Sequence, residues 1–356
     1  MKSKKVILAV IIGLFSFLCV SCLILFAFYK ENLKPVGIDD SEVTFVISSG
    51  MTTSTIIDKL KSENIIRNEL VFKIYAKTTG GTPKAGTYVF TKDMDVETIW
   101  DMIVKGLVKK DTVWITFVEG KRLTYIKKQI SDKFPYTEEE IDEVLEDKTY
   151  IKELINKYDI LTSEILNEKI YHPLEGYLFP DTYEFEKDAS IKTIIETMIK
   201  TMESKLSSYK DEIESSKYSI HELITLASIV ELEGARSNER NGIAGVFYNR
   251  LKAGWTLGSD VTTFYAVNKD FDKSLTRSDL NSCNDYNTRG TCVKGLPVGP
   301  IASVSIASID AVMKPESHNY YYFVADNQNT TYFTKTQQEH DKIIRKLQSE
   351  GLWYSY

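Results

Sequence analysis

Histidine is scarce in this 356-residue chain, and the four that occur (His172, His221, His318 and His340) are scattered. No HExxH pattern sets two of them on one helix face, so a zinc hydrolase has nothing to stand on. Clustered positive charge is lacking as well. The formal net charge is −6, and Lys crowds only at the extreme N-terminus; without a basic stripe to neutralise phosphates, nucleic acid is a poor partner. Cysteine is limited to four residues, two of them (Cys19 and Cys22) inside the apolar N-terminal run. No small-residue cleavage site follows that run, which argues against a cleaved signal peptide, and apolar chain continues beyond Cys22, which argues against a lipoprotein.

What is present begins with that run. Val6 to Tyr29 is 24 residues without a charge, and as a helix it would span roughly 36 Å at about 1.5 Å per residue, enough to cross a bilayer. Lys2, Lys4 and Lys5 precede it, so the positive-inside tendency puts residues 1–5 in the cytoplasm and the rest of the chain outside, as a single-pass protein of the cell membrane. On that oxidising side Cys283 and Cys292, in "SCNDYNTRGTC", could form a disulfide worth on the order of 2.5 kcal/mol; two free thiols are the alternative. A hydrophobic content of 43% leaves room for two or three folded modules after the anchor.

Residues 30–41 read as a short polar linker and 42–110 as a first small module. In the module a β-rich run, a turn at Gly50, helical spacing at Ile56, Ile57 and Leu60, and a closing strand "AGTYVF" follow one another. The layout recurs about seventy residues later in residues 111–356: Gly120 matches Gly50, Ile126 matches Ile56, Ile130 matches Leu60, and "DTYEF" echoes "GTYVF". An internal duplication is expected, with strand-turn-helix grammar met twice by chance as the alternative. Thr137 to Lys169 predicts one or two surface helices. Ser190 to Tyr209 predicts a packing helix with Ile194, Ile195, Met198, Ile199 and Met202 on one face.

The stretch "LASIVELEGARSNER" (Leu226–Arg240) sets an acid in an apolar context. Ser219 with Glu222 is a capping-box pattern, so a helix is expected from there to about Glu233, stopped by Gly234. At about 100° per residue, Ile220, Leu223, Ile224, Ala227 and Val230 form one stripe with Glu231 near its centre, while Glu233 points away. A carboxylate aimed inward has two readings: a raised-pKa general acid, or a buried ion pair with Arg236, Arg240 or Arg250. Periodicity does not choose between them. A second helix should begin near Ser237 as cap, turn Ile243, Val246, Phe247 and Leu251 inward, and stop at Gly254. Polar clusters follow: Asp260, Thr262 and Tyr265; Tyr286, Asn287 and Thr288; and the turn "GLPVGPI". Carboxylate, amide and hydroxyl groups with stacking rings suit a ligand rich in hydroxyls and amides.

Taken in order, "FVEG", "EGYLFPDTYEF", "ASIVELE", "VFYNRL", "SDVTTFYA", "YNT", "GLPVGPI" and "YYYFVAD" resemble the YceG-like family of membrane-anchored endolytic murein transglycosylases, over nearly the whole chain. The resemblance implies an α+β protein: transmembrane helix, small LysM-like strand-helix module, and larger mixed α/β catalytic domain. Its essential acid maps onto Glu231. Its other site motifs map onto Asn249, Arg250, Asp260, Thr262, Tyr265, Tyr286, Asn287, Pro297 and Gly299, expected to line the substrate pocket. Val261 and Val298 replace frequent prolines, and Thr331 stands where the family often has His, while His340 matches. The family's chemistry is cleavage between N-acetylmuramic acid (MurNAc) and N-acetylglucosamine (GlcNAc) in nascent glycan strands, leaving 1,6-anhydro ends and terminating polymerisation. It implies no metal or organic cofactor, and penicillin-binding synthases as partners. Two rivals are a non-catalytic peptidoglycan-binding scaffold and a hydrolytic muramidase whose second carboxylate is Glu233, Glu239 or Asp181.

Overall fold

The uncharged run at the N-terminus folds as one helix, α1 (Lys2–Leu33), in a computed structural model that describes residues 2–109, 111–234 and 237–353. From Val10 to Leu33 it is long and apolar enough to cross a membrane, and its most apolar stretch is not buried in the protein. The helix extends past the expected end at Tyr29 because nothing stops it before Pro35. Leu33 is buried, and Arg67 donates to Glu31 (3.2 Å) and to the Pro35 carbonyl (2.6 Å), so the start of the expected linker is helical and packed. The chain divides into two compact units, Met1–Asp111 and Thr112–Tyr356.

The first unit holds β1 (Val43–Ile47), α2 (Thr53–Ser62), α3 (Glu69–Thr79), β2 (Gly86–Phe90) and α4 (Val96–Lys105). Thr52, Asn68 and Asp95 cap the three short helices through side-chain acceptors. The second unit opens with β3 (Thr112–Thr116) and α5 (Leu123–Lys133), and its closing strand is β4 (Thr182–Glu186). Both strand pairs are antiparallel and pair in matching register: Val43 faces Phe90 as Val113 faces Phe185, and Phe45 faces Tyr88 as Ile115 faces Tyr183. Gly50 and Gly120 both turn at positive φ, +84° and +67°. Shared register, turn and core positions fit duplication better than chance.

Between β3 and β4 lie α6 (Glu138–Leu145), α7 (Lys148–Lys157) and a 3-10 turn at Ser163–Leu166. Their surface character is partial, because Ile141, Leu145, Tyr150, Ile151 and Leu154 are buried. Next come α8 (Ile191–Leu206), whose five expected inward residues are all buried, α9 (Lys210–Ser215), α10 (Ile220–Glu233) and α11 (Ser237–Lys252). Shorter elements follow: α12 (Asp260–Ala266), α13 (Arg277–Leu280), α14 (Ile306–Met313), the antiparallel hairpin β5 (Tyr322–Ala325) and β6 (Thr331–Thr334), and α15 (Gln337–Ser349).

The centre of the second unit is α10. Ser219 caps it in a full capping box with Glu222, and it ends at Gly234 as expected. It is not amphipathic, however: every residue from Leu223 to Glu231 is buried, Thr225 and Ser228 included. A helix enclosed on all sides has no single core face, so the stripe computed from the sequence picks out only part of its buried surface. Thr225 and Ser228 tolerate this by donating to carbonyls one turn back, those of His221 (2.7 Å) and Thr225 (2.8 Å).

Along α10 runs an extended strap, residues 298–305. His221 Nε2 donates to the Val298 carbonyl (2.9 Å), Ile301 N donates to Ser228 Oγ (3.1 Å), and Ser305 N donates to Glu231 Oε2 (3.0 Å). The carbonyl fixes the imidazole tautomer, so Tyr177 OH donates to His221 Nδ1 (2.7 Å). Gly176, at φ +80°, lies under the strap: a Cβ there would fall 2.4 Å from Pro300 Cβ. Gly176→Ala combines a left-handed backbone with a clash that rigid proline cannot relieve. It should lower stability by about 2 kcal/mol or more, checked by denaturant unfolding.

Candidate active site

The strap ends at Ser305, which caps α14: Ser308 N donates to Ser305 Oγ at 3.2 Å. Glu231, 9% exposed, reaches this helix start from α10. Its Oε2 accepts from Ser305 N (3.0 Å), from Ser305 Oγ and from Ser308 Oγ (2.5 Å). Its Oε1 accepts from Arg240 Nη2 (3.1 Å). A helix N-terminus with free N–H groups favours negative charge, so the carboxylate complements the end of α14. Of the three arginines expected as partners, Arg240 meets Glu231, whose side chain also keeps the buried position expected of a general acid. Arg250 is engaged elsewhere, Arg236 lies outside the described residues, and so does the side chain of Ser237, expected as a cap.

Oε2 is saturated by three donors. Among the described residues Oε1 is held by one guanidinium, and Arg240 Nε has no partner.

A second carboxylate comes near. The loop after β3 is clamped to the strap by Gly120 N to the Ser303 carbonyl (3.1 Å) and Ser303 N to the Lys121 carbonyl (2.8 Å). A Cβ on Gly120 would be 3.6 Å from Glu231 Cγ. Its neighbour Glu119 is solvent-exposed on one side, and its carboxyl is raised above the usual range by partial burial and then by the charge of Glu231. The sequence reading missed Glu119, although it stands in the quoted "FVEG". Two carboxylates it did name have other partners: Glu233 accepts from Ser259 Oγ (2.6 Å), and Glu239 accepts from Thr331 N (3.1 Å) and Oγ1 (2.9 Å). Asp181 accepts from Thr182 N (2.8 Å) and lies near enough to Glu119 for its charge to act there.

The expected pocket residues separate into groups. Thr262, Tyr265, Tyr286 and Asn287 are buried and bonded within the protein. Thr262 Oγ1 meets Thr288 Oγ1 at 2.8 Å, and Asn287 Oδ1 accepts from Thr263 Oγ1 (2.7 Å) while its Nδ2 donates to the Ser282 carbonyl (2.8 Å). Tyr286 OH accepts from Tyr171 N (3.3 Å). Asn249 donates to the His318 and Tyr320 carbonyls (both 2.9 Å), and Arg250 donates to the Tyr321 carbonyl (2.7 Å), tying α11 to the segment that leads into β5. Asp260 is half exposed and pairs with Arg289 (2.7 Å). Pro297 and Gly299 are buried, and a Cβ on Gly299 would sit 3.5 Å from the His221 ring. That ring helps line a cavity of about 420 Å³ with Glu164, Asn167 and Val298, at the opposite end of α10 from Glu231. Cys283 and Cys292 are joined, with Cα atoms 5.4 Å apart. Among the described residues no cluster of His, Cys, Asp and Glu could hold a metal.

Glu175 also escaped the sequence reading. It is fully buried in the "EGYLFPDTY" segment, where it accepts from Leu123 N (2.9 and 3.1 Å) and Tyr265 OH (3.2 Å). It thus joins the start of α5 to the clustered rings of Tyr171, Tyr265 and Tyr286.

A buried carboxylate gripped by hydroxyls at one oxygen and by a guanidinium at the other is a site suited to general acid–base work. Residues 45–346 match the YceG-like family, and the chain belongs to it. It is 38% identical over 325 residues to the endolytic murein transglycosylase of Bacillus subtilis, covering 90% of this chain and 89% of that one. It is 30% identical over 337 residues to the protein of the same name from Streptococcus pneumoniae, covering 90% of this chain and 61% of that longer one. A crystal structure of a YceG-like protein from Listeria monocytogenes superposes with a TM-score of 0.62 at 33% identity, over 85% of this chain and 99% of that one.

Burial pushes the Glu175 carboxyl up to about 7 against the pull of its hydrogen bonds. Between about pH 4.5 and 7 the native state then keeps a proton that the unfolded chain has released, so stability is full below that window and falls as pH rises through it. The loss should be on the order of 3 kcal/mol and should flatten in Glu175→Gln, as read by urea unfolding at a series of pH values.

Proposed function

We propose that this chain is an endolytic peptidoglycan lytic transglycosylase in which Glu231 is acid and base in turn. The observation that carries this reading is the unequal treatment of its two oxygens: Oε2 is fixed by Ser305 and Ser308, and among the described residues Oε1 meets Arg240 alone. In the first step a proton on Oε1 passes to the oxygen linking MurNAc C1 to GlcNAc, and that bond breaks. The MurNAc C6 hydroxyl attacks C1, and its proton returns to Glu231. No water is consumed, and the products are a 1,6-anhydroMurNAc end and a GlcNAc with a free 4-hydroxyl. Arg240 must leave Oε1 as the proton arrives and return afterwards, steadying the carboxylate through the cycle.

The apolar α1 would hold the protein in the cell membrane with residues 1–5 in the cytoplasm and the remainder outside. On this reading residues 42–110 form a LysM-like glycan-holding module and 111–356 the catalytic domain. Cutting near the membrane would terminate nascent strands, beside penicillin-binding synthases. The buried network of Thr262, Tyr265, Tyr286 and Asn287 would shape the substrate cleft from behind.

Glu119 favours a second reading, a hydrolytic muramidase in which it activates water opposite Glu231. Product chemistry separates the two. Full-length protein in detergent, given purified cell-wall glycan, should release anhydro ends lighter by one water than reducing ends. Glu231→Gln should lower the rate by about 10²–10⁴-fold. Reducing ends from the wild type, lost in Glu119→Gln, would establish the muramidase instead; absence of any cleavage would leave a scaffold.

Ser308→Ala removes one of the donors fixing Oε2. It should cut kcat/KM by roughly tenfold while leaving the melting temperature within a few degrees of wild type; an unchanged rate would show that the grip on Oε2 does not matter to turnover.

A further inference from the structure

The chain carries a net charge of −6, yet one groove of the second unit is edged by cations. It lies between the β5–β6 hairpin and α15 and encloses about 530 Å³. Tyr320 and Phe333 supply its rings, Lys335, Lys342 and Lys346 its charge, and Thr334 part of its wall. Its one acid, Glu339, is committed to the start of α15, accepting from Lys335 N (3.0 Å) and Thr336 N (3.2 Å). Lys346 shares Glu350 at 3.9 Å across an exposed pair; Lys335 and Lys342 make no ion pair among the described residues. Thr334 is 8% exposed, and its hydroxyl is buried without a hydrogen-bond partner among the described residues. Buried hydroxyls are ordinarily satisfied, so this side of the groove carries an unmet hydrogen-bonding group among the described residues.

The groove adjoins the proposed active site through α11. Thr331 bonds Glu239, the residue before Arg240, and the Phe333 ring packs so close to α11 that a Cβ on Gly242 would fall 2.7 Å from it. A strand cut at Glu231 presents a peptide on every MurNAc, attached through a lactyl ether and bearing free carboxylates. Ammonium groups along an aromatic wall, with a spare hydroxyl, suit an extended peptide acid. We infer that this groove binds the carboxylate-bearing stem peptide of the glycan strand, and so selects strands whose peptides are intact. The inference rests on the peptidoglycan reading of Glu231 for its ligand.

The test uses the full chain in detergent micelles and the free stem peptide L-Ala-γ-D-Glu-L-Lys-D-Ala, titrated by NMR or calorimetry. Wild type should bind it, and the double variant Lys342→Glu with Lys346→Glu should weaken binding by about tenfold or more. The matching Lys→Arg pair should restore it, and Thr334→Val should weaken it several-fold. On glycan, wild type should show kcat/KM about tenfold higher with stems than after their removal by an amidase. The Glu pair should lower only the first value, to the level of the second. The inference is overturned if the peptide does not bind, if the Glu pair leaves its binding unchanged, or if that pair slows both glycans alike. It is also overturned if phosphatidylglycerol vesicles or inorganic phosphate, and not the peptide, lose binding in the Glu pair. Failure of every glycan to be cut would strike the transglycosylase reading, while the peptide titration, which needs no turnover, would still decide the groove.

Discussion

One carboxylate at one helix end organises the second unit. The first turn of α14 begins with free N–H groups, and Glu231 arrives from α10 to accept one of them together with two hydroxyls. Ser305 serves both elements, since its hydroxyl donates to the acid while accepting from Ser308 N. For this to hold, the strap before Ser305 must follow α10 closely. It does so by bonding at His221, Ser228 and Glu231, positions about two turns and then one turn apart on one helix. The tight underside at Gly176 and the clamp from Gly120 to Ser303 follow from the same path.

The arrangement divides labour inside a single side chain. An acid whose oxygens were both saturated could not exchange a proton, and one with both free would not keep its aim. Here three donors fix Oε2, and among the described residues one arginine guards Oε1. Three more acids lie in the same unit under different conditions. Glu175 and Glu233 are raised chiefly by burial, and Glu119 by partial burial followed by the charge of Glu231. Only Glu119 combines an altered affinity for protons with access to solvent beside Glu231, which is why it, and not the deeper acids, is the alternative partner in catalysis.

How much of this was legible in sequence depends on how local the cause is. The limits of α10 are set by a capping box from Ser219 to Glu222 and a terminal glycine, and both are visible as letters. The depth of Glu231 was also legible, though for an incomplete reason, because a helix wrapped on every side buries its polar residues as well. The partners of Glu231 were not legible: Ser305 and Ser308 lie 74 and 77 residues away, and nothing in "SVSIAS" announces what its hydroxyls will meet. Residue type also misleads about partners. Thr262, Tyr286 and Asn287 have the chemistry of sugar contacts, yet in the structure their hydrogen bonds are spent on a neighbouring hydroxyl and on nearby backbone.

The two strand-turn-helix units show how matching local structure can serve different ends. Gly50 and Gly120 occupy equivalent turns with the same left-handed backbone, so both are glycine for the same conformational reason. Their surroundings differ: a Cβ on Gly50 would meet nothing within 4 Å, whereas one on Gly120 would meet Leu232 and Glu231. The residue before each turn differs in kind, Ser49 in the first copy and Glu119 in the second. A backbone solution that closes a small domain in one copy therefore delivers a carboxylate to an acid in the other. Because the second turn is clamped to the same strap that presents Ser305, the spacing between Glu119 and Glu231 is set by the scaffold that holds Glu231 itself.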